Sequence, residues 1–451
     1  MPHEKFHYKS LEEVKQRAAE LGVDLPFAAD THALAQPLTV RNITFPNRLG
    51  IAPMEGADST PEGAPTEYTT RRYVNEAIGG SSVIWFEAIS IVEEGRSSQT
   101  QLLLNRDTLD EFKKMTTAVK EAGLKANGYA PYLIMQANHS GRYSNPGNKP
   151  APMIAYRHPI LEQYRAADDS CIVTDDYLKG LEEKFGEATK LAKEAGFDAV
   201  DIKSCHGYLL AELASAYNRP GEYGGSFENR FRLLKNGIRA AKVYEDDSFM
   251  VTARIGIYDG YAYPWGFGVS PESGTTPDLT EPIRLVRDLH NELGLNMVNL
   301  TMGNPYATTH VTRPFDFGKY EPDEHPFVGL ARMIHGIGEV KKAVPEMTVW
   351  ASAPSYLRAY ADLFTAGAVE QGLCDGMLFG RMAFADPDFA NEIVKNGRID
   401  PKRVCLTCGK CGDLIRAHKP TGCVIRDSKT FMPFYKEFLE IKKTQPANFR
   451  G

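Results

Sequence analysis

Cys405, Cys408, Cys411 and Cys423 crowd one stretch near the end of the chain. The first three repeat at two-residue spacing, and the fourth follows after eleven intervening residues. Short spacing lets consecutive thiolates turn inward around one centre, and Gly409 and Gly412 permit the tight backbone this needs. Compact runs of this kind hold [4Fe–4S] clusters, in which each iron takes one thiolate. A zinc site with four cysteine ligands is the alternative. It usually pairs two separate C-x2-C knuckles, and a third cysteine set directly onto the first pair favours iron–sulfur. Cys171, Cys205 and Cys374 stand alone.

Other residues suited to chemistry close a series of apolar runs. Gln136 and His139–Arg142 follow one such run in MQANHSGR. An amide offers both donor and acceptor, which suits the mixed edge of a flavin pyrimidine ring, though a loop cap uses the same groups. Arg254 ends another run. Buried without a partner it would be costly, so it faces a carboxylate, a phosphate or an electron-rich cofactor, or forms a structural ion pair. A third run leads into Asp201-Ile202-Lys203-Ser204-Cys205-His206-Gly207-Tyr208. Alternation puts Asp201, Lys203 and Cys205 on one side, while the turn re-aims His206 and Tyr208. A His and a Tyr so placed form a proton-donor and anion-stabilising pair, or else a hydrogen-bonded His beside a packed Tyr. Gly380 and Arg381, with Ala351–Pro354, stand where backbone amides bind phosphate.

These groups need a scaffold that gathers strand ends. Eight short apolar runs occur at 48–54, 81–89, 130–138, 199–204, 248–255, 297–302, 347–353 and 374–380, separated by stretches of helical spacing. Continuous apolar runs suit strands buried on both faces of a parallel sheet. Eight alternations predict an α/β fold, a (β/α)8 TIM barrel, with an open doubly wound sheet as the rival. QPLTVRNITFPNR alternates around a turn and predicts a hairpin plugging the lower end. Three long connections, 139–174, 256–280 and 303–325, follow strands at the catalytic face. The expected division is 1–35 as an N-terminal helical extension, 36–400 as the barrel, and 401–451 as the cysteine-rich iron–sulfur segment and tail.

A net charge of −6 without a basic block argues against nucleic acid or an anionic membrane as partner. No apolar run reaches the roughly 18 residues of a bilayer span. The charged start, MPHEKFHYKSLEEVKQRAAE, is unlike a signal peptide. The expected location is cytoplasmic, where a cysteine cluster reads as metal ligands rather than disulfides.

From about residue 36 to residue 428 the chain resembles the Old Yellow Enzyme family of NADH:flavin oxidoreductases, in its 2,4-dienoyl-CoA-reductase-like branch with a [4Fe–4S] segment. The strings that carry the resemblance are IAPM, WFEA, Q-x-x-H-x-G-R, HGYLL, YGGSFENRFR and GR-x4-DPDF. The resemblance implies FMN, with Pro53 and Met54 along it and Ala88 near its ring. Gln136 would bond its pyrimidine edge, and Arg254 would face its N1–C2 side. Gly380 and Arg381 would hold its phosphate, with Ala353 nearby. Tyr208 matches the family's proton donor, and His206 matches one of two residues gripping the substrate oxygen.

Lys203 stands where many relatives carry the other, a histidine. Glu55 replaces the usual Thr or Cys, and WASAPS lacks the usual glycine near the phosphate. The second and third cysteines are one residue closer than in the dienoyl-CoA reductases. No G-x-G-x-x-G stretch of a nucleotide-binding domain occurs, which leaves NAD(P)H, ferredoxin or another flavoprotein as electron donor.

The expected activity is ene-reduction of an enone, enoate or enoyl thioester: hydride from reduced FMN, oxygen held by His206 and Lys203, proton from Tyr208. His310 is a second candidate acid by rough position. Alternatives are a flavin dehydrogenase of an amine or steroid-type substrate, a flavin-free barrel lyase or aldolase using Lys203 with a structural zinc, and an electron-transfer subunit.

Overall fold

The apolar runs form strands β1 Leu49–Ile51, β2 Val83–Ser90, β3 Tyr132–Asn138, β4 Ala199–Ser204, β5 Met250–Gly256, β6 Met297–Thr301, β7 Thr348–Ser352 and β8 Gly376–Phe379. In the computed structural model, which describes residues 2–444, these strands pair in parallel and in sequence order, and β8 closes on β1. The barrel is therefore shut, with no open edge, and the doubly wound alternative falls.

Strand alternation decides what each side chain meets. Val83, Trp85, Ile134, Met250, Met297, Trp350 and Leu378 fill the interior. Their neighbours, such as Ile84, Phe86, Leu133 and Val251, face the helices in the outer core. The hairpin Leu38–Val40 and Ile43–Phe45 plugs the lower end as expected. Phe45 meets Trp350 edge-on at 5.8 Å between ring centroids, which seals the apolar interior from below.

Helix placement follows local signals. The helix Asp175–Glu194 starts at Thr174, whose hydroxyl accepts from the Tyr177 N–H, and carries Asp175 and Asp176 in its first turn. It delivers the chain to β4 through Gly196, whose φ of +86° needs a glycine.

One irregularity re-aims the site. The β2–β3 register shifts between Trp85 and Ala88. Phe86 and Glu87 both turn outward, to Tyr73 and Arg72, and Ala88 returns to pair with Gln136. This bulge lets a strand carry both a core tryptophan below and a small residue at the mouth. At the other end of the chain, the helices Lys410–Arg416 and Ser428–Thr444 pack together over Leu414, Val424 and Phe431. Residues 445–451 of the expected tail lie outside the described residues. Among the described residues no helix is long and apolar enough to cross a membrane.

Candidate active site

Asp201 organises the barrel mouth from below. Its buried carboxylate accepts from Trp85 Nε1 at 2.7 Å, Gln136 Nε2 at 2.6 Å and the Arg254 backbone N–H at 2.5 Å. Burial raises its pKa, and the Gln136 and Trp85 bonds oppose that. The amide nitrogen of Gln136 is thereby committed to Asp201, and its oxygen remains to accept from a ligand N–H.

One layer higher, Lys203 and Arg254 are register partners across β4 and β5. Both are buried, and among the described residues Arg254 enters no ion pair; its Nε is buried without a hydrogen-bond partner. The structural ion pair considered for Arg254 is thus not formed. A buried guanidinium left open at a barrel mouth fits an electron-rich ligand.

The far side is built by β1, β7 and β8. Arg72 is buried between Asp58, at 3.2 Å, and Glu87, at 2.7 Å, and donates to the Met54 carbonyl, which pins the loop after β1. A Cβ on Gly380 would stand 3.0 Å from Met54 Sδ, so Pro53–Met54 and Gly380 approach each other closely. Arg381 donates to the Pro314 carbonyl at 2.7 Å and keeps Nη1 buried and unpartnered. Ala353 has φ +75°, a left-handed conformation that favours glycine and strains an alanine. An open guanidinium, a glycine cradle and a free amide oxygen are the donor set that a flavin mononucleotide would need.

Above this floor sit the acid–base groups. Consecutive left-handed residues, His206 at φ +66° and Gly207 at +70°, swing Tyr208 over the mouth. The Tyr208 hydroxyl donates to Glu55 at 3.1 Å and lies 2.8 Å from the Tyr306 hydroxyl. Burial, then the Glu55 carboxylate, holds the Tyr208 pKa well above the ordinary phenol value, so it stays protonated. Lys203 Nζ stands 3.7 Å from the centre of the Tyr208 ring, and burial pulls its pKa down to about 8. His206 is 3.4 Å from Thr301 Oγ1; burial and the nearby Arg254, Lys203 and Arg313 push its pKa well down, which leaves a neutral imidazole.

The geometry thus assembles Gln136, Lys203, Arg254, His206 and Tyr208 at one mouth, with Ala88 on β2 beside Gln136. It does not bring His139 and Arg142 there. His139 lies 2.9 Å from the Tyr177 hydroxyl, and Arg142 is buried against Glu212, so both anchor the 139–174 loop. His310 bonds Tyr320 instead of reaching the mouth. The residue on that loop that does reach it is Tyr306, stacked on Tyr143 at 3.7 Å. Sequence reasoning missed both tyrosines, because nothing local marks these two among the 21 in the chain.

The four cysteines line one partly open pocket together with Arg381 and Phe384. Thr407 at φ +48° and Gly409 at φ +77° turn the run inward. Cys405 and Cys423 sulfurs each accept a backbone N–H at 3.3 Å, from Thr407 and Arg426. Burial pushes the Cys405 thiol up to about 12, opposed by Arg381, and raises Cys411, opposed by Arg313 and Arg381, and Cys423, opposed by backbone N–H groups. Among the described residues no group of three or more His, Cys, Asp or Glu closes into a metal-ion site. The segment is tied to the barrel mouth by the Thr421 N–H on the Gly56 carbonyl, at 2.8 Å.

NADPH dehydrogenase of Bacillus velezensis is 33% identical to this chain over 223 residues, covering 48% of this chain and 62% of the relative. The chain thus matches less than two thirds of that relative's length. Among solved structures, a 2-naphthoyl-CoA reductase complex superimposes with TM-score 0.71 at 19% identity, covering 90% of this chain and 58% of its own. An old yellow enzyme homologue from Zymomonas mobilis gives 0.61 at 21% identity, covering 82% and 94%. These likenesses show the shared fold. Residues 33–265, more than half of the sequence, match a flavin oxidoreductase family, and the chain belongs to that NADH:flavin oxidoreductase / NADH oxidase family.

Proposed function

We propose that this chain is an FMN-dependent ene-reductase that saturates an activated carbon–carbon double bond beside a carbonyl. Family membership removes the flavin-free lyase that Lys203 alone had left open. The observation that carries the reading is the Tyr208 hydroxyl, a phenol kept protonated and held over a mouth floored by open cations.

FMN, when bound, supplies the hydride. Gln136 and Arg254 would orient its ring, Pro53, Met54 and Ala88 would pack along it, and Ala353, Gly380 and Arg381 would hold its phosphate. His206 and Lys203 bind the substrate carbonyl oxygen: the neutral imidazole as a hydrogen-bond donor, the ammonium as a point charge that grows in value as negative charge builds. Tyr208 gives its proton to the α-carbon.

We assign Cys405, Cys408, Cys411 and Cys423 to a [4Fe–4S] cluster, which would supply single electrons from NAD(P)H, ferredoxin or another flavoprotein. Support comes from the shared pocket, its two neighbouring arginines and the N–H···S bonds. The division into 1–35, 36–400 and 401–451, and a cytoplasmic location, belong to the same proposal.

A second reading, oxidation of an amine, is favoured by Glu55 at the Tyr208 hydroxyl, next to the stacked rings of Tyr143 and Tyr306, a carboxylate and aromatic set that suits a cation. One experiment separates the two. Anaerobically purified protein is assayed for flavin, iron and acid-labile sulfide, then for turnover in both directions with panels of enones and amines. Ene-reduction predicts bound FMN and reoxidation by enones; reduction by amines alone would replace it, and protein that refuses FMN would end both.

A further inference from the structure

Tyr208 has one proton and two polar neighbours. The Tyr208 O–H donates to Glu55 Oε1, 3.1 Å away. The Tyr208 oxygen is then the acceptor for Tyr306, 2.8 Å away. The hydroxyl chain runs inward, from Tyr306 through Tyr208 to Glu55. Its ends differ in access: Tyr306 is 40% exposed and Tyr208 is 4% exposed.

We propose that Tyr306 is the solvent-side member of a proton relay that recharges Tyr208, with Glu55 as the inner group that drives it. The proposal rests on the ene-reductase reading for the step that spends the proton. When the α-carbon takes the Tyr208 proton, the C–H bond forms as the O–H bond breaks, leaving a phenolate beside the Glu55 carboxylate. Two like charges at that separation disfavour each other, so the phenolate draws the proton from Tyr306. Tyr306 in turn takes one from water at the mouth, so the hydroxyl chain is restored and one solvent proton is consumed per turnover.

The surroundings suit this task. Tyr143 stacks on Tyr306 with the rings 16° from parallel, and the Tyr306 N–H bonds Asn304 Oδ1 at 2.9 Å, so ring and backbone are both held. Tyr306 is the hydroxyl that hydrogen-bonds the buried Tyr208 phenol. Tyr306 touches the reaction only through Tyr208, so it is a positioning and relay residue.

The test uses FMN-loaded protein, reduced anaerobically and mixed in stopped flow with 2-cyclohexen-1-one or with ferricyanide, in H2O and D2O. Tyr306→Phe keeps the stacked ring and removes one oxygen. The relay predicts a tenfold or greater fall in multiple-turnover enone reduction and a larger solvent isotope effect. Ferricyanide, which takes electrons only, should reoxidise the variant as it does the wild type. An enone rate and isotope effect within twofold of wild type would overturn the relay.

Should the wild type react with ferricyanide but with no enone, the ene-reductase reading fails, and the relay is judged separately. Infrared difference spectra on flavin reduction carry a Glu55 carboxylate band, identified by its loss in Glu55→Gln. A shift of that band in Tyr306→Phe supports the hydroxyl chain, and an unmoved band rejects it.

Discussion

Lys203 and Arg254 sit side by side as register partners on β4 and β5, two buried cations with no carboxylate between them. The nearest acid below, Asp201, spends its oxygens on Trp85, Gln136 and the Arg254 backbone. Arg254 is consequently left without an ion-pair partner among the described residues, and Glu55, on the Tyr208 hydroxyl, is a carboxylate that bears on Lys203. Such an arrangement costs folding energy unless a ligand arrives to meet it, which is how binding sites differ from cores.

Arg254→Met should weaken FMN binding. A charge-assisted hydrogen bond is worth about 1.5–3 kcal/mol, so affinity should drop by roughly 10- to 100-fold. Fluorescence titration of deflavinated protein with FMN measures this directly. Unaltered affinity would remove Arg254 from the flavin site.

Tyr208→Phe should reduce enone turnover by about 10²- to 10⁴-fold, the usual value of a placed general acid. Reduction of the flavin by the electron donor should proceed at its ordinary rate, since no proton passes to carbon in that half. Stopped-flow traces of the two half-reactions separate these outcomes, and equal enone rates would cancel the assignment.

Lys203 gives a pH signature. Its ammonium is the useful form, and burial brings its pKa down to about 8 from the ordinary value. Activity should therefore hold below about 8 and fall as pH rises through it. In Lys203→Met the alkaline limb should vanish, with kcat/KM low and flat across that range. A limb that persists in the variant belongs to another group.

Cys411→Ser should lose iron and sulfide while FMN content stays near wild type, because Cys411 lines the thiol pocket, which is lined by none of the residues proposed to hold the flavin ring. Cys374→Ser, altering a lone buried thiol, is the control and should keep its iron. Metal analysis decides it, and full iron in Cys411→Ser would refute ligation by that sulfur.

Much of this was legible along the chain. Continuous apolar runs separated by helical spacing specify strands buried on both faces, and eight of them close a barrel, because period and length are local properties. Ligand-type residues at the strand ends, from Gln136 to Arg381, could be named for the same reason: alternation and chain order place them at one rim. The cysteine spacing is equally local.

Contacts between loops are not. Tyr306 and Glu55 are separated by 251 positions (306 minus 55) yet both meet the Tyr208 hydroxyl. Arg142 looked like a rim residue until its burial against Glu212 showed it to be an anchor. The bulge that sends both Phe86 and Glu87 outward was likewise hidden, since WFEA alternates no differently from its neighbours on paper. Sequence determines periodicity and therefore which elements form. Where a loop residue comes to rest depends on packing partners far away in the chain, and only the closed barrel decides which of many tyrosines and arginines share one small volume.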